Sequence, residues 1–298
     1  MVTTGVANGQ EVFESLQYPY EVRHLNLENG LSMAYVDEGE GEVLVMIHGL
    51  GSYLPAWKKN IATLKADFRC IAVDLIGYGK SSKPEETFTL TEQSAMIAEL
   101  LEKLEIPRYH LMGHSMGGQI SIHHAKQYAD RVDKLILIAP AGIETFTDMQ
   151  RNIFRGMQPQ FIMMSDAAAI EANLKANFYQ YPEEASFMIH DRILMKDDPQ
   201  FSHYAAAVTA GIHAMVDQVV YDKLEELNTP TLVLFGKEDN LIPNKTFNPD
   251  LTTADILQRA KEKIPNSLGA LIPEAGHMLM FEKPGEVNRH IHDFLKNK

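Results

Sequence analysis

The stretch that decides the fold reads Tyr109-His110-Leu111-Met112-Gly113-His114-Ser115-Met116-Gly117-Gly118-Gln119-Ile120. It opens with an apolar run of strand length, turns through Gly113-His114-Ser115-Met116-Gly117, and continues over residues 119–128 in a helical pattern. A chain with this glycine and serine content shows roughly 0.05 G-x-S-x-G matches by chance. Strand, sharp turn and helix in immediate succession are what a nucleophile elbow requires. The serine stands at a strained apex, and small glycines beside it let neighbouring backbone come close. The helix that starts behind Ser115 points N–H groups and a positive dipole end at developing negative charge.

Outward from the elbow, short apolar runs recur at 43–47, 70–73, 134–138, 231–235 and 270–272, and helical patterns separate most of them. Continuous apolar runs suit strands covered by helices on both faces. Thr89 and Glu92 form a capping-box pair ahead of a helical repeat at Met96, Ile97, Leu100, Leu101 and Leu104. Residues 21–27 and 31–37 alternate like two antiparallel strands around Glu28-Asn29-Gly30, and Asn-Gly predicts a type I′ turn. These patterns predict an α/β fold, a doubly wound and mostly parallel sheet with an antiparallel hairpin at one edge. Residues 143–226 break the alternation. They offer helical patterns, for example over 167–179 and 201–220, and hold seven of the 15 methionines. About eighty residues is too long for an ordinary connection. The expected organisation is a core of 1–142 and 227–298, with 143–226 inserted as an all-helical cap. The cap's methionines, with Phe154, Phe161, Phe178, Tyr179, Tyr181 and Phe187, suit an apolar pocket wall, and each suits packing between cap helices equally well.

Composition narrows the partners. The 298 residues are 45% hydrophobic and 22% charged, with a net charge of −13. So acidic a surface gains nothing from phosphate backbones or anionic membranes, which argues against nucleic acid as a partner. Residues 1–17 lack the basic start and apolar run of a leader, and no stretch of 18 uncharged apolar residues exists to span a membrane. The single cysteine, Cys70, lies in a strand-like run and reads as a packing residue in a reducing compartment. The expectation is a cytoplasmic protein, or one whose leader has been removed, acting on a small molecule. Its oligomeric state is not legible.

A serine hydroxyl needs a base within hydrogen-bond reach and a third group to orient that base. Of the 12 histidines, His123 and His124 fall on the helix behind the elbow, and His290 and His292 on the last helix. His277 differs: it follows the final strand pattern within Pro273-Glu274-Ala275-Gly276-His277-Met278, where a sheet delivers loop residues to its carboxyl edge. Asp239, after the strand at 231–235, is the expected orienting acid. Glu238, expected to face solvent, and Glu144, after the strand at 134–138, are its competitors. His48-Gly49-Leu50-Gly51 follows the strand at 43–47, so the N–H of Leu50 and the N–H of Met116 are candidate donors to a shared oxyanion hole. No second ligand stands at a convincing spacing from His48, so no metal and no cofactor are expected.

The elbow, the His-Gly-x-Gly loop and the order Ser115, Asp239, His277 together resemble the α/β-hydrolase superfamily. The match extends to Asp74-Leu75-Ile76-Gly77-Tyr78-Gly79-Lys80-Ser81, similar to a structural loop of that family, and to Gly276-His277 followed by Glu282-Lys283-Pro284. The resemblance implies Ser115 as nucleophile, His277 as general base and acid, Asp239 as its partner, and Leu50 and Met116 as oxyanion donors. It also implies a helical lid after the strand at 134–138. Serine at the elbow argues against haloalkane dehalogenases and epoxide hydrolases, which carry aspartate there. The motif set is similar to carboxylesterases and to meta-cleavage product hydrolases, which break carbon–carbon bonds. Those usually carry asparagine before the serine and tryptophan after the histidine, where this chain has His114 and Met278; its one tryptophan, Trp57, lies past the oxyanion loop. The resulting expectation is hydrolysis of carboxylic esters of small, mainly apolar substrates. Carbon–carbon hydrolysis, cofactor-free perhydrolase or acyltransferase chemistry, and a ligand receptor on a hydrolase scaffold are the alternatives.

Overall fold

The computed structural model describes residues 11–296. The first ten residues, part of the stretch searched for a leader, lie outside the described residues, as do the last two. Eight strands form one sheet: β1 (Arg23–Asn26), β2 (Ser32–Glu38), β3 (Glu42–Ile47), β4 (Phe68–Val73), β5 (Tyr109–His114), β6 (Val132–Ile138), β7 (Thr231–Gly236) and β8 (Ser267–Ile272). Their order is β1-β2-β4-β3-β5-β6-β7-β8. β2 pairs antiparallel with both β1 and β4, and all other neighbouring strands pair in parallel. Every residue of β5 and β7 is buried, as the continuous apolar runs require.

Among the described residues, twelve α-helices accompany the sheet. Four precede or follow the first strands: α1 (Val12–Ser15), α2 (Lys58–Leu64), α3 (Leu90–Lys103) and α4 (Met116–Gln127). Between β6 and β7 lie α5 (Asp148–Arg155), α6 (Pro159–Met164), α7 (Ala167–Lys175), α8 (Ser186–Met195) and α9 (Phe201–Asp217), with no strand among the described residues of that interval. The chain closes with α10 (Thr253–Lys263), α11 (Leu279–Glu282) and α12 (Pro284–Lys296). α2 packs on α12 and α3 on α4, and helices cover both sides of the sheet. Thr89 and Glu92 complete the capping box at the start of α3. No helix among the described residues is long and apolar enough to cross a membrane.

Two expectations need correcting. The hairpin between β1 and β2 is present, but its turn is not type I′. Leu27 N–H donates to Leu31 C=O and Gly30 N–H to Leu27 C=O, and within the turn Gly30 alone has positive φ, at 81°. A three-residue loop that ends in a left-handed glycine satisfies the same Asn-Gly signal with one strained position instead of two. β8 begins at Ser267, three residues before the apolar run. It is an edge strand with Leu268 at 59% exposure, and its glycine gives way to α10: a Cβ on Gly269 would sit 2.6 Å from Leu257 Cδ1.

Because β3 and β5 through β8 are parallel, whatever follows their ends is delivered to one edge of the sheet. Those followers are His48, Ser115, Glu144, Asp239 and His277. Cys70 is buried in β4, and burial pushes its thiol up to about 12.

Candidate active site

Ser115 is the N-cap of α4 and adopts φ 53° and ψ −119°, a strained conformation for a residue with a side chain. Its backbone is pinned on both sides. The N–H donates to Ile138 C=O at 2.9 Å, and its own C=O accepts from Ala141 N–H at 3.1 Å and Gln119 N–H at 3.2 Å. The turn is this tight only because Gly113 and Gly117 lack side chains. A Cβ on Gly117 would lie 2.3 Å from the carbonyl oxygen of Ile47 and 2.5 Å from that of His48, so α4 starts directly against the end of β3.

On the next loops, His277 Nδ1 and Asp239 Oδ2 are 2.8 Å apart, with side chains 4% and 0% exposed. The second oxygen of Asp239 accepts the backbone N–H groups of Leu241 at 2.8 Å and Ile242 at 3.1 Å. A carboxylate there makes Nδ1 the protonated ring atom and leaves Nε2 as the basic one. The competitors take other work. Glu144, whose carboxyl is raised by burial, accepts from Asn244 N–H at 2.8 Å and Asn248 Nδ2 at 2.6 Å, and so holds the loop that carries Asp239. Glu238 does not simply face solvent: it accepts Ala275 N–H at 3.2 Å in the His277 loop, because the two loops run side by side beyond β7 and β8.

Ser115 and His277 line the same cavity, about 900 Å³ in volume. Among the described residues no hydrogen bond joins the Ser115 hydroxyl to the imidazole; such contacts commonly tighten only around a bound substrate. Phe154, Phe161 and Phe178 line the cavity as well. Phe187 packs instead on Tyr53 and Phe281, and Tyr181 on Phe178.

Leu50 and Met116 meet across Gly211 of α9, where a Cβ would lie 2.8 Å from Leu50 Cδ1 and 2.9 Å from Met116 Sδ. Met116 opens α4, so its N–H has no acceptor within the helix. His48 anchors the Leu50 loop: Nδ1–H donates to Gly49 C=O at 2.8 Å and Nε2 accepts Leu75 N–H at 3.1 Å. Burial lowers the His48 pKa, which keeps that tautomer neutral. Asp74 is consumed structurally, accepting from Leu54 N–H, Tyr18 Oη and Lys80 N–H.

Two contributors escaped the sequence reading. Arg192 of α8 donates from Nη2 to Gly51 C=O, which also accepts Tyr204 Oη at 3.2 Å, so the interval between β6 and β7 grips the Leu50 loop. Glu282 accepts Gly276 N–H at 2.7 Å and the N–H groups of Tyr179 and Gln180, tying the His277 loop to that interval. Only the Gly276-His277…Glu282 motif hinted at the second, and nothing local at the first.

A family model described as the alpha/beta hydrolase fold matches residues 42–284. A Pseudomonas putida protein, the dihydrolipoyllysine-residue acetyltransferase component of an acetoin cleaving system, is 31% identical over 268 residues, covering 87% of this chain but only 65% of its own length. A 2-hydroxy-6-oxononadienedioate/2-hydroxy-6-oxononatrienedioate hydrolase of Pseudomonas putida is 28% identical over 283 residues, covering 89% of this chain and 92% of its own. Among solved structures, a probable hydrolytic enzyme of Pseudomonas aeruginosa superposes with a TM-score of 0.86 at 26% identity, covering 97% of this chain and 98% of that one.

Proposed function

The chain belongs to the α/β-hydrolase family, and on that premise we propose that it is a serine hydrolase that cleaves carboxylic esters of apolar substrates through an acyl-enzyme on Ser115. The observation that carries the reading is the buried 2.8 Å contact between Asp239 and His277, at the wall of a cavity that also holds the strained Ser115. In this mechanism His277 Nε2 takes the hydroxyl proton as Ser115 Oγ attacks the ester carbonyl, then returns it to the departing alcohol. Water repeats both transfers on the acyl-enzyme. Asp239 keeps the imidazole in the required tautomer and stabilises the imidazolium. The N–H groups of Leu50 and Met116 receive the oxyanion, and loss of one such donor typically costs about 2.7–4 kcal/mol of barrier. Residues 143–226 act as a cap that closes the cavity. A volume of about 900 Å³ lies high in the range of about 300–1,000 Å³ typical of small-molecule sites, which favours substrates with a sizeable apolar part.

A second reading, carbon–carbon bond hydrolysis, is favoured by the Pseudomonas putida hydrolase and opposed by Met278 and His114 at the positions named above. The test is turnover of a p-nitrophenyl ester series and a vinylogous 1,5-diketone by wild type and Ser115→Ala. The ester reading expects higher kcat/KM on esters and none in the folded variant. Wild-type turnover by Ser115→Ala overturns it.

A further inference from the structure

We infer that His114, the residue before the proposed nucleophile, is a positioning residue that tethers the base loop to the elbow; the inference rests on the serine-hydrolase reading. Its Nε2 lies 2.9 Å from the carbonyl oxygen of His277. Since a carbonyl only accepts, Nε2 carries the proton and donates. One side chain therefore joins the peptide adjoining Ser115 to the backbone of His277, and sets the separation of hydroxyl and base from beneath. The neighbouring N–H groups are held elsewhere, Gly276 N–H on Glu282 and Met278 N–H, which shares its peptide with the His277 carbonyl, on Asn177 C=O. The His277 carbonyl is held by His114.

The surroundings suit that task and no other donor arrangement. The His114 ring is buried between the edge of Trp57, with centroids 6.4 Å apart and planes at 90°, and the His277 ring at 4.7 Å. With the proton on Nε2, Nδ1 is bare; it is buried and has no partner among the described residues. A Cβ on Gly49 would sit 2.8 Å from it, so the oxyanion loop closes over that atom. An unpartnered buried nitrogen is destabilising, and an apolar side chain of similar size would avoid that cost. A merely space-filling role therefore does not account for histidine. Burial first, then the neighbouring His277, holds the His114 pKa well below the usual imidazole range. The ring stays neutral, and no second cation opposes the imidazolium that forms on His277 during turnover.

The experiment compares His114→Phe, which keeps a ring and loses the donor, with His114→Gln, which keeps an amide donor at similar reach. His114→Leu serves as the apolar variant if the phenylalanine does not fold. Displacing a reacting group by about 1 Å can cost about 10²-fold. The apolar variant is accordingly expected to lower kcat on a p-nitrophenyl ester by about 10–100-fold, with KM nearly unchanged and thermal stability retained. His114→Gln restores most of kcat, and the fluorophosphonate labelling rate follows kcat in each protein. A folded apolar variant with wild-type kcat and labelling, or a folded His114→Gln no better than it, overturns the tether alone. Failure of wild type to label at Ser115 overturns the serine-hydrolase reading and the tether with it.

Discussion

Asp239→Asn separates a carboxylate that sets a tautomer from one that merely fills space. The two oxygens of Asp239 are already committed: one to the backbone N–H groups of Leu241 and Ile242, the other to His277 Nδ1 at 2.8 Å. An asparagine must give its oxygen to one side and its NH₂ to the other. Turning the NH₂ toward Leu241 and Ile242 would set donors against donors and forfeit two bonds, so the oxygen stays there and the NH₂ faces Nδ1. The ring must then accept at Nδ1 and carry its proton on Nε2, where it cannot take the hydroxyl proton of Ser115. In a Ser-His-Asp site of known mechanism the same change lowers kcat by about 10⁴-fold, or about 5.4 kcal/mol of barrier. The hydrogen bonds survive in number, so the melting temperature should stay within a few degrees of wild type. The assay is kcat on a p-nitrophenyl ester at neutral pH, beside a thermal melt. A folded Asp239→Asn within tenfold of wild type would refute the assignment of Asp239 as the orienting acid.

Glu144→Ala leaves the part-buried N–H of Asn244 and the amide of Asn248 without their acceptor, which should cost about 1–3 kcal/mol of stability and far less activity than Asp239→Asn; lost activity at full stability would make Glu144 the acid. Burial lowers the His124 pKa to about 4, against about 6.5 when unfolded. Its contribution is fully present above pH 6.5 and is lost as the unfolded chain takes up the proton on the way down to pH 4, amounting to about 3 kcal/mol at most. Denaturant melts of wild type and His124→Gln between pH 7 and pH 4 should show the steeper decline in wild type; parallel curves would contradict the shift. The Cys70 thiol, buried and pushed up to about 12, should resist iodoacetamide in the folded protein and react once urea unfolds it, as read by intact mass.

The strands and the elbow were legible because their signals are local. Four or five apolar residues in a row, or Gly-x-Ser-x-Gly between a strand and a helix, follow from a backbone that must hide both faces or turn sharply. The pairing of Asp239 with His277 was legible at one remove, because parallel strands deliver their following loops to one edge. Glu144 and Glu238 sit on the same edge, and what each touches is decided by loop conformations that no spacing encodes. Arg192 lies beyond that logic altogether. It reaches Gly51 across 141 residues, from a helix whose placement depends on packing between β6 and β7. β8 was half-hidden because an edge strand need not be apolar throughout, and Gly269 yields its side chain to Leu257 of α10.

The most direct measurement is the site of covalent capture: react the native protein with a fluorophosphonate at neutral pH, digest it, and locate the adduct by peptide mass spectrometry. A stoichiometric phosphonyl group on Ser115, absent from heat-unfolded protein, is the predicted result. No adduct, or one on a different residue, would contradict the claim that this fold makes the Ser115 hydroxyl a nucleophile.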